Sequence, residues 1–303
     1  MKRLLLSWVS IFLAALYLLH SAGQAAAEGS APVAENLELN TYVNVSTGGM
    51  LSAFDPDGGA LRYVITTDPV KGTIEVWEDG SFLYTPAENK KGRDYFGYKA
   101  IDSDGNDSQE ATVIIRILKQ KKAVSYADMR GRADEYAAVF LNEAGLYTGK
   151  QICGVSFFEP DALVTRGEFL SMCMTLTGKA PVLGSYRTGY LDDAGIPSWQ
   201  KAYASSAALH GVYDGLKTED GSVFSGDEPI PYAQAAAMLD RALQLENVSY
   251  ISGYEHMDLR LAQSCANMKA YGVIPGMISE GDLLNRSEAA KMLTAAHELL
   301  GKR

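Results

Sequence analysis

The chain has little of what the commonest site chemistries require. Its 303 residues include three cysteines, Cys153, Cys173 and Cys265. Small extracellular domains stapled by disulfides carry many more, usually in even number, so that scaffold is excluded. Cys173 and Cys265 sit in apolar helical stretches and read as small buried hydrophobes. A Cys153–Cys173 pair is the alternative, and it leaves Cys265 free. The four histidines are scattered, with no zinc-site spacing. No Gly-x-Ser-x-Gly elbow, phosphate loop or His-Glu-x-x-His pair occurs, so an enzyme is not expected. Basic residues are the minority, 27 against 37 acidic, for a net charge of −10. Phosphate contact needs a basic surface, which argues against a nucleic-acid partner.

Long apolar runs are also scarce. The only one opens the chain. Lys2 and Arg3 precede a mostly apolar stretch from Leu4 to Leu19, and Gln24-Ala25-Ala26-Ala27 offers small residues for cleavage. This is the layout of a secretory signal peptide over residues 1–27, with an uncleaved anchor as the alternative. A membrane span needs roughly 20 apolar residues, more than this run supplies. The expectation is a secreted protein with no membrane span after cleavage.

Residues 31–119 read as strands. Leu61 to Thr66 is rich in branched and aromatic residues. Thr73–Trp77 and Ser81–Thr85 alternate with period two around Glu78-Asp79-Gly80, a hairpin signal. Asp94–Ile101 and Ala111–Leu118 add two strands, and short strands separated by turns indicate a sandwich. The order Asp55-Pro56-Asp57-Gly58-Gly59, Asp79-Gly80-Ser81-Phe82-Leu83-Tyr84-Thr85-Pro86, Asp94-Tyr95-Phe96-Gly97-Tyr98 and Asp102-Ser103-Asp104-Gly105-Asn106 resembles bacterial immunoglobulin-like and cadherin-like repeats of surface proteins. The resemblance implies a spacer or adhesive module. Asp55, Asp57, Asp102 and Asp104, with Glu35 beside them, are candidate calcium ligands, since Ca²⁺ takes about six to eight oxygens. The competing reading is turn chemistry, in which Asp caps its own turn and Gly takes the left-handed conformation.

Lys119-Gln120-Lys121-Lys122 then reads as a polar hinge, with the linker at 120–123. Beyond it the pattern becomes helical and repeats. Three segments, 124–180, 186–246 and 250–303, share one plan. Each has an opening aspartate (Asp128, Asp192, Asp258), an Ala-rich helix, a Gly-containing turn, a polar loop and a second helix. The second helices start at Thr165-Arg166-Gly167-Glu168, Pro231-Tyr232-Ala233-Gln234 and Asn285-Arg286-Ser287-Glu288. Thr165-x-x-Glu168 and Asn285-x-x-Glu288 fit capping boxes.

This plan resembles S-layer homology repeats, with departures. Gly167 replaces the usual Ala. Segment two has no Arg at its helix start. Segment three lacks the Phe-x-Pro loop and the Trp. The resemblance implies a multidomain chain, an immunoglobulin-like sandwich followed by an all-α pseudo-trimeric domain. It also implies non-covalent anchoring to pyruvylated secondary cell-wall polysaccharide at the cell surface. Carried over, Arg166 and Arg286 contact the acidic sugar, and Glu168 and Glu288 order the helix starts. Asp128, Asp192, Asp258 and Trp199 complete the polysaccharide-binding set. Either arginine could instead form ion pairs between repeats, and Trp199 reads first as a core residue. The alternative function is an adhesin or scaffold whose degenerate repeats no longer bind polysaccharide. No cofactor is required beyond the candidate Ca²⁺.

Overall fold

A computed structural model describes residues 29–182, 184, 187–249, 253–274 and 276–301. The expected signal peptide at 1–27 lies outside the described residues, as do the first residues of segments two and three and Pro275 of the third turn. Among the described residues no helix is long and apolar enough to cross a membrane.

The strands run β1 (Val33–Ala34), β2 (Leu37–Tyr42), β3 (Thr47–Met50), β4 (Ala53–Phe54), β5 (Arg62–Thr67), β6 (Gly72–Val76), β7 (Ser81–Pro86), β8 (Gly92–Ile101) and β9 (Ala111–Leu118). Besides a short β1–β4 pair, one sheet has the order β2-β9-β8-β5, with β2 parallel to β9, and the other β3-β7-β6. Period-two patterning builds the core between them. Along β9, Ala111, Val113, Ile115 and Ile117 are buried and their neighbours point outward. Phe82 of β7 meets Phe96 of β8 edge to face at 5.4 Å. The β6–β7 hairpin turns at Gly80, whose φ of 83° favours glycine. The Tyr84 hydroxyl donates to Asp94 at 2.8 Å, and Asp94 also accepts from the Val70 and Lys71 amides.

The second half contains α1 (Glu135–Glu143), β10 (Lys150–Ile152), β11 (Val155–Phe157), α2 (Arg166–Leu176), α3 (Ser198–Leu209), β12 (Leu216–Thr218), β13 (Gly221–Val223), α4 (Tyr232–Leu243), α5 (Leu259–Ala270) and α6 (Arg286–Gly301). It is therefore not all-α. The first two polar loops are short hairpins, β10–β11 and β12–β13. Cys153 and Gly154, both at positive φ, make the first hairpin's two-residue turn, the geometry that suits tight antiparallel strands. Each segment's first helix packs on a second helix of another segment: α3 on α2, α5 on α4, and α1 on α6. The three second helices also touch one another. The arrangement closes on itself.

Backbone hydrogen bonds seal that closure. Just before the second helices, the Val164 amide donates to the Leu284 carbonyl at 3.0 Å, Leu284 to Ile230 at 3.0 Å, and Ile230 to Val164 at 2.9 Å. The next layer repeats the pattern, with Arg166 donating to Glu228, Tyr232 to Asp282 and Arg286 to Ala162. Three segments of different sequence thus share one three-fold backbone plan.

The two halves are firmly joined. Tyr42 and Val45 of the β-half belong to the helical core cluster. The Gly48 amide donates to the Ala133 carbonyl, and the Tyr136 amide donates to Ser46. The hinge expected at 120–123 is fastened too, because the Glu143 carboxylate accepts from the Lys121 and Lys122 amides.

Candidate functional site

The helix starts at the ring's centre carry most of the expected site residues. Thr165 and Glu168 form the expected capping box at α2. Asn285 and Glu288 do the same at α6, with the Glu288 amide donating to Asn285 Oδ1 at 2.9 Å and the Asn285 amide donating to Glu288 at 3.2 Å. Both glutamates are accounted for by the helix termini they close.

The arginines differ from expectation. Arg166 is 3% exposed and Arg286 9%. Arg166 donates to the Ser225 carbonyl and to Gln234 Oε1. Arg286 Nη1 donates to the carbonyls of Phe158 and Glu159 at 2.9 and 3.1 Å and lies 3.4 Å from the Glu159 carboxylate. Its guanidinium carbon also stands 4.7 Å above the Tyr147 ring, a favourable cation–π placement. Each cation is therefore sealed against the loop of another segment. The reading of these groups as open carboxylate receptors is corrected: loop carbonyls of another segment already occupy the guanidinium groups. At the third equivalent position Tyr232 fills the place with a buried ring.

The loops that the arginines grip share one device. Glu159 and Ser225 both adopt positive φ, 58° and 51°. Asp128 accepts from the Phe158 and Glu159 amides at 2.9 and 2.7 Å. Asp192 accepts from Phe224 and Ser225, both at 2.8 Å. These aspartates hold a strained corner so that its carbonyls meet an arginine from another segment. Asp258 does something else: it caps α5 by accepting from Arg260 at 2.9 Å. The segment-three loop is too short to return to it. The opening aromatic of that segment is Tyr254, buried with its hydroxyl 3.0 Å from the Gly276 carbonyl, while His256 is exposed.

Trp199 is not in the core. It is 51% exposed on the first turn of α3. The next residue, Gln200, is buried instead, and sequence reasoning missed it. Gln200 Nε2 donates to Asp227 at 3.0 Å, and its Oε1 has no partner. It lines a groove of about 250 Å³ with Asp192, Gly226 and Asp227. Gly167 was the available signal: a Cβ there would stand 2.6 Å from Gln200 Cδ, so glycine replaces alanine to admit the amide.

In the β-half the acidic loops do meet, around Gly29. Their carboxylates face their own turns. Asp55 accepts from the Asp57 and Gly59 amides, and Asp102 from Asp104 and Asn106. Asp57 accepts from the Ser30 amide. The Asn106 side chain and those amides hold the Asp102 carboxyl below its usual range. Asp104 lies beside Gly29, and the Glu35 carbonyl is met by the Tyr98 hydroxyl. Among the described residues, no group of three or more His, Cys, Asp or Glu is placed to hold a metal ion. The turn reading accounts for Asp55 and Asp102.

Other shifted groups are structural. Burial pushes the Cys173 and Cys265 thiols up to about 12, and all three cysteines are free. The Thr188 amide and hydroxyl, with Lys201, lower the Asp193 carboxyl to about 2. Burial raises Glu135 at the joint, although the Ser46 and Gly131 amides donate to it.

Residues 26–119 match the bacterial cadherin-like domain family. No curated protein matches the chain in sequence. Similar solved structures include a mutant of the SrpA adhesin from Streptococcus sanguinis, at 17% identity and TM-score 0.26, over 32% of this chain and 63% of that one. Human protocadherin-24 EC1-2 has 19% identity and TM-score 0.24, over 29% and 52%. The D00-D0 domain of intimin has 15% identity and TM-score 0.23, over 31% and 50%. The chain spans less than two thirds of the length of each of these three.

Proposed function

We propose that the chain is a non-catalytic, secreted cell-surface protein in which a closed helical base presents a cadherin-like domain, at a set angle, for adhesive contact. The joint carries this reading. Two backbone hydrogen bonds, the Glu135 contact to Ser46, the Tyr42–Tyr136 ring pair at 5.3 Å and the Asn40–Glu298 hydrogen bond all cross it. A mere tether needs none of them. Spin labels at exposed Val70 and Leu209 should give one narrow distance distribution in the full chain. Beads coated with the chain should adhere to bacterial surfaces. A broad distribution, or beads that adhere no better than uncoated ones, sinks the proposal.

A second reading keeps polysaccharide anchoring in the segments that resemble S-layer homology repeats. The Gln200 groove favours it: two flanking carboxylates and an exposed tryptophan one residue away suit sugar hydroxyls better than the sealed arginines do. The full chain should then sediment with purified wall sacculi, and Trp199→Ala plus Gln200→Ala should abolish sedimentation. Unchanged sedimentation of that variant rejects the groove.

A further inference from the structure

The joint also encloses a cleft of about 780 Å³ between the cadherin-like domain and the helical base. Its volume lies within the range of ordinary ligand pockets, and boundaries between domains are where such pockets concentrate. The chain as a whole is acidic, yet Lys91, Lys119 and Arg130 line this cleft. All three are exposed. Among the described residues none of them forms an ion pair; Arg130 makes a long 3.4 Å contact to Ser125 and acts on the Glu135 carboxylate through space. The one acid in the wall, Glu135, is buried and held by the Ser46 and Gly131 amides.

The neutral polar groups of the wall narrow the ligand further. Asn44 and Asn89 sit at positive φ and hydrogen-bond to each other across the rim. Val43 and Val124, both half-buried, add an apolar strip to the same wall. An inorganic anion would satisfy the cations and leave the valines and the asparagine amides unmatched. A sugar acid matches all three, its carboxylate meeting Lys or Arg, its hydroxyls the asparagine amides and its ring C–H groups the valines. A second cavity of about 600 Å³ shares Ala123, Val124, Ser125 and Arg130 with the first, so the path is long enough for a chain rather than a single ring.

We propose that this interdomain cleft binds a short carboxylate-bearing oligosaccharide. The site is separate from the Gln200 groove and does not depend on it. Calorimetric titration of the full chain with trigalacturonate, and with its methyl ester, provides the test. Binding should weaken as salt rises, because the cations are exposed. The ester should bind at least about tenfold more weakly, a difference of about 1.4 kcal/mol. Lys119→Ala plus Arg130→Ala should cause a similar loss. Lys91→Ala plus Lys119→Ala, which keeps the Arg130–Ser125 contact, is the second variant. Both replace exposed side chains, and circular dichroism checks their folding. Equal binding of the ester, unchanged binding by both folded variants, or equally tight binding of linear polyphosphate would each overturn the proposal, as would no binding at all. Trp199→Ala plus Gln200→Ala should leave this titration unchanged, which separates it from the anchoring reading.

Discussion

Gly48 and Ala133 bring two domains into backbone contact: the Gly48 amide donates to the Ala133 carbonyl at 2.8 Å, and a Cβ on Gly48 would stand 3.1 Å from Ala133 Cα and collide with its methyl group. No side chain fits between them. Gly48→Ala should therefore open the joint, lowering stability by about 1–3 kcal/mol, the usual range for overpacking. Urea unfolding reads the loss, and the Val70–Leu209 label distance should broaden. A variant as stable and as narrow as the parent contradicts the close approach.

Arg286→Ala should cost about 2–4 kcal/mol, since it leaves the Phe158 carbonyl without its donor, leaves Glu159 with only the Ala162 amide, and removes the cation over Tyr147. Denaturant melts at neutral pH measure this. A surface arginine would change stability by less than about 0.5 kcal/mol, so a value in that range rejects the buried role.

Glu135 makes the joint pH-dependent. Burial raises its folded pKa above the ordinary 4.5, so the folded state holds the proton more tightly than the unfolded chain. Its contribution is fully present below 4.5 and is lost as pH rises through the folded value. One oxygen, Oε2, accepts from both amides, so Glu135→Gln can keep both bonds with its carbonyl oxygen. The variant should fold and lose the stability slope above pH 4.5, read by urea melts from pH 4 to 7. A persisting slope assigns the dependence elsewhere.

Gly167→Ala should destabilise the protein although alanine is the better helix former, because Gln200 occupies the space. Adding Gln200→Ala should restore most of the loss. A double-mutant cycle with a coupling below about 0.5 kcal/mol would show the two residues to be independent.

Millimolar Ca²⁺ should leave the melting temperature of the full chain unchanged, because Asp55 and Asp102 already accept from their own turns. A rise that disappears in Asp55→Asn plus Asp57→Asn would restore calcium to these loops.

The strands with strict alternation were legible residue by residue. The expected Ala111–Leu118 coincides with β9, and the hairpin around Gly80 is as expected. β2 and β3 were not. Leu37–Tyr42 mixes Glu, Asn and Thr with its apolar residues, and Thr47–Met50 carries two glycines, so neither shows a clean period. Capping boxes are local and were read correctly at Thr165 and Asn285. What Arg166 and Arg286 touch was not legible, because each meets a main-chain carbonyl 59 or 128 residues away, and a carbonyl carries no residue signature. Trp199 was read as core, and Gln200 was missed, for a related reason. Hydrophobicity favoured the tryptophan for the interior, and the tertiary fold placed the neighbouring amide there.

The ring of Val164, Ile230 and Leu284 has a consequence for how such a chain can vary. Each member gives one amide and takes one carbonyl, so the circuit is complete at three and has no terminus at which to accept a fourth segment. Side chains take no part in it. A segment can turn its aspartate to another role, shorten a loop or exchange arginine for tyrosine, as the second and third have, and still close the circuit. Deleting any whole segment would instead strand a donor and an acceptor at once, so divergence within segments is tolerated where a change in their number is not.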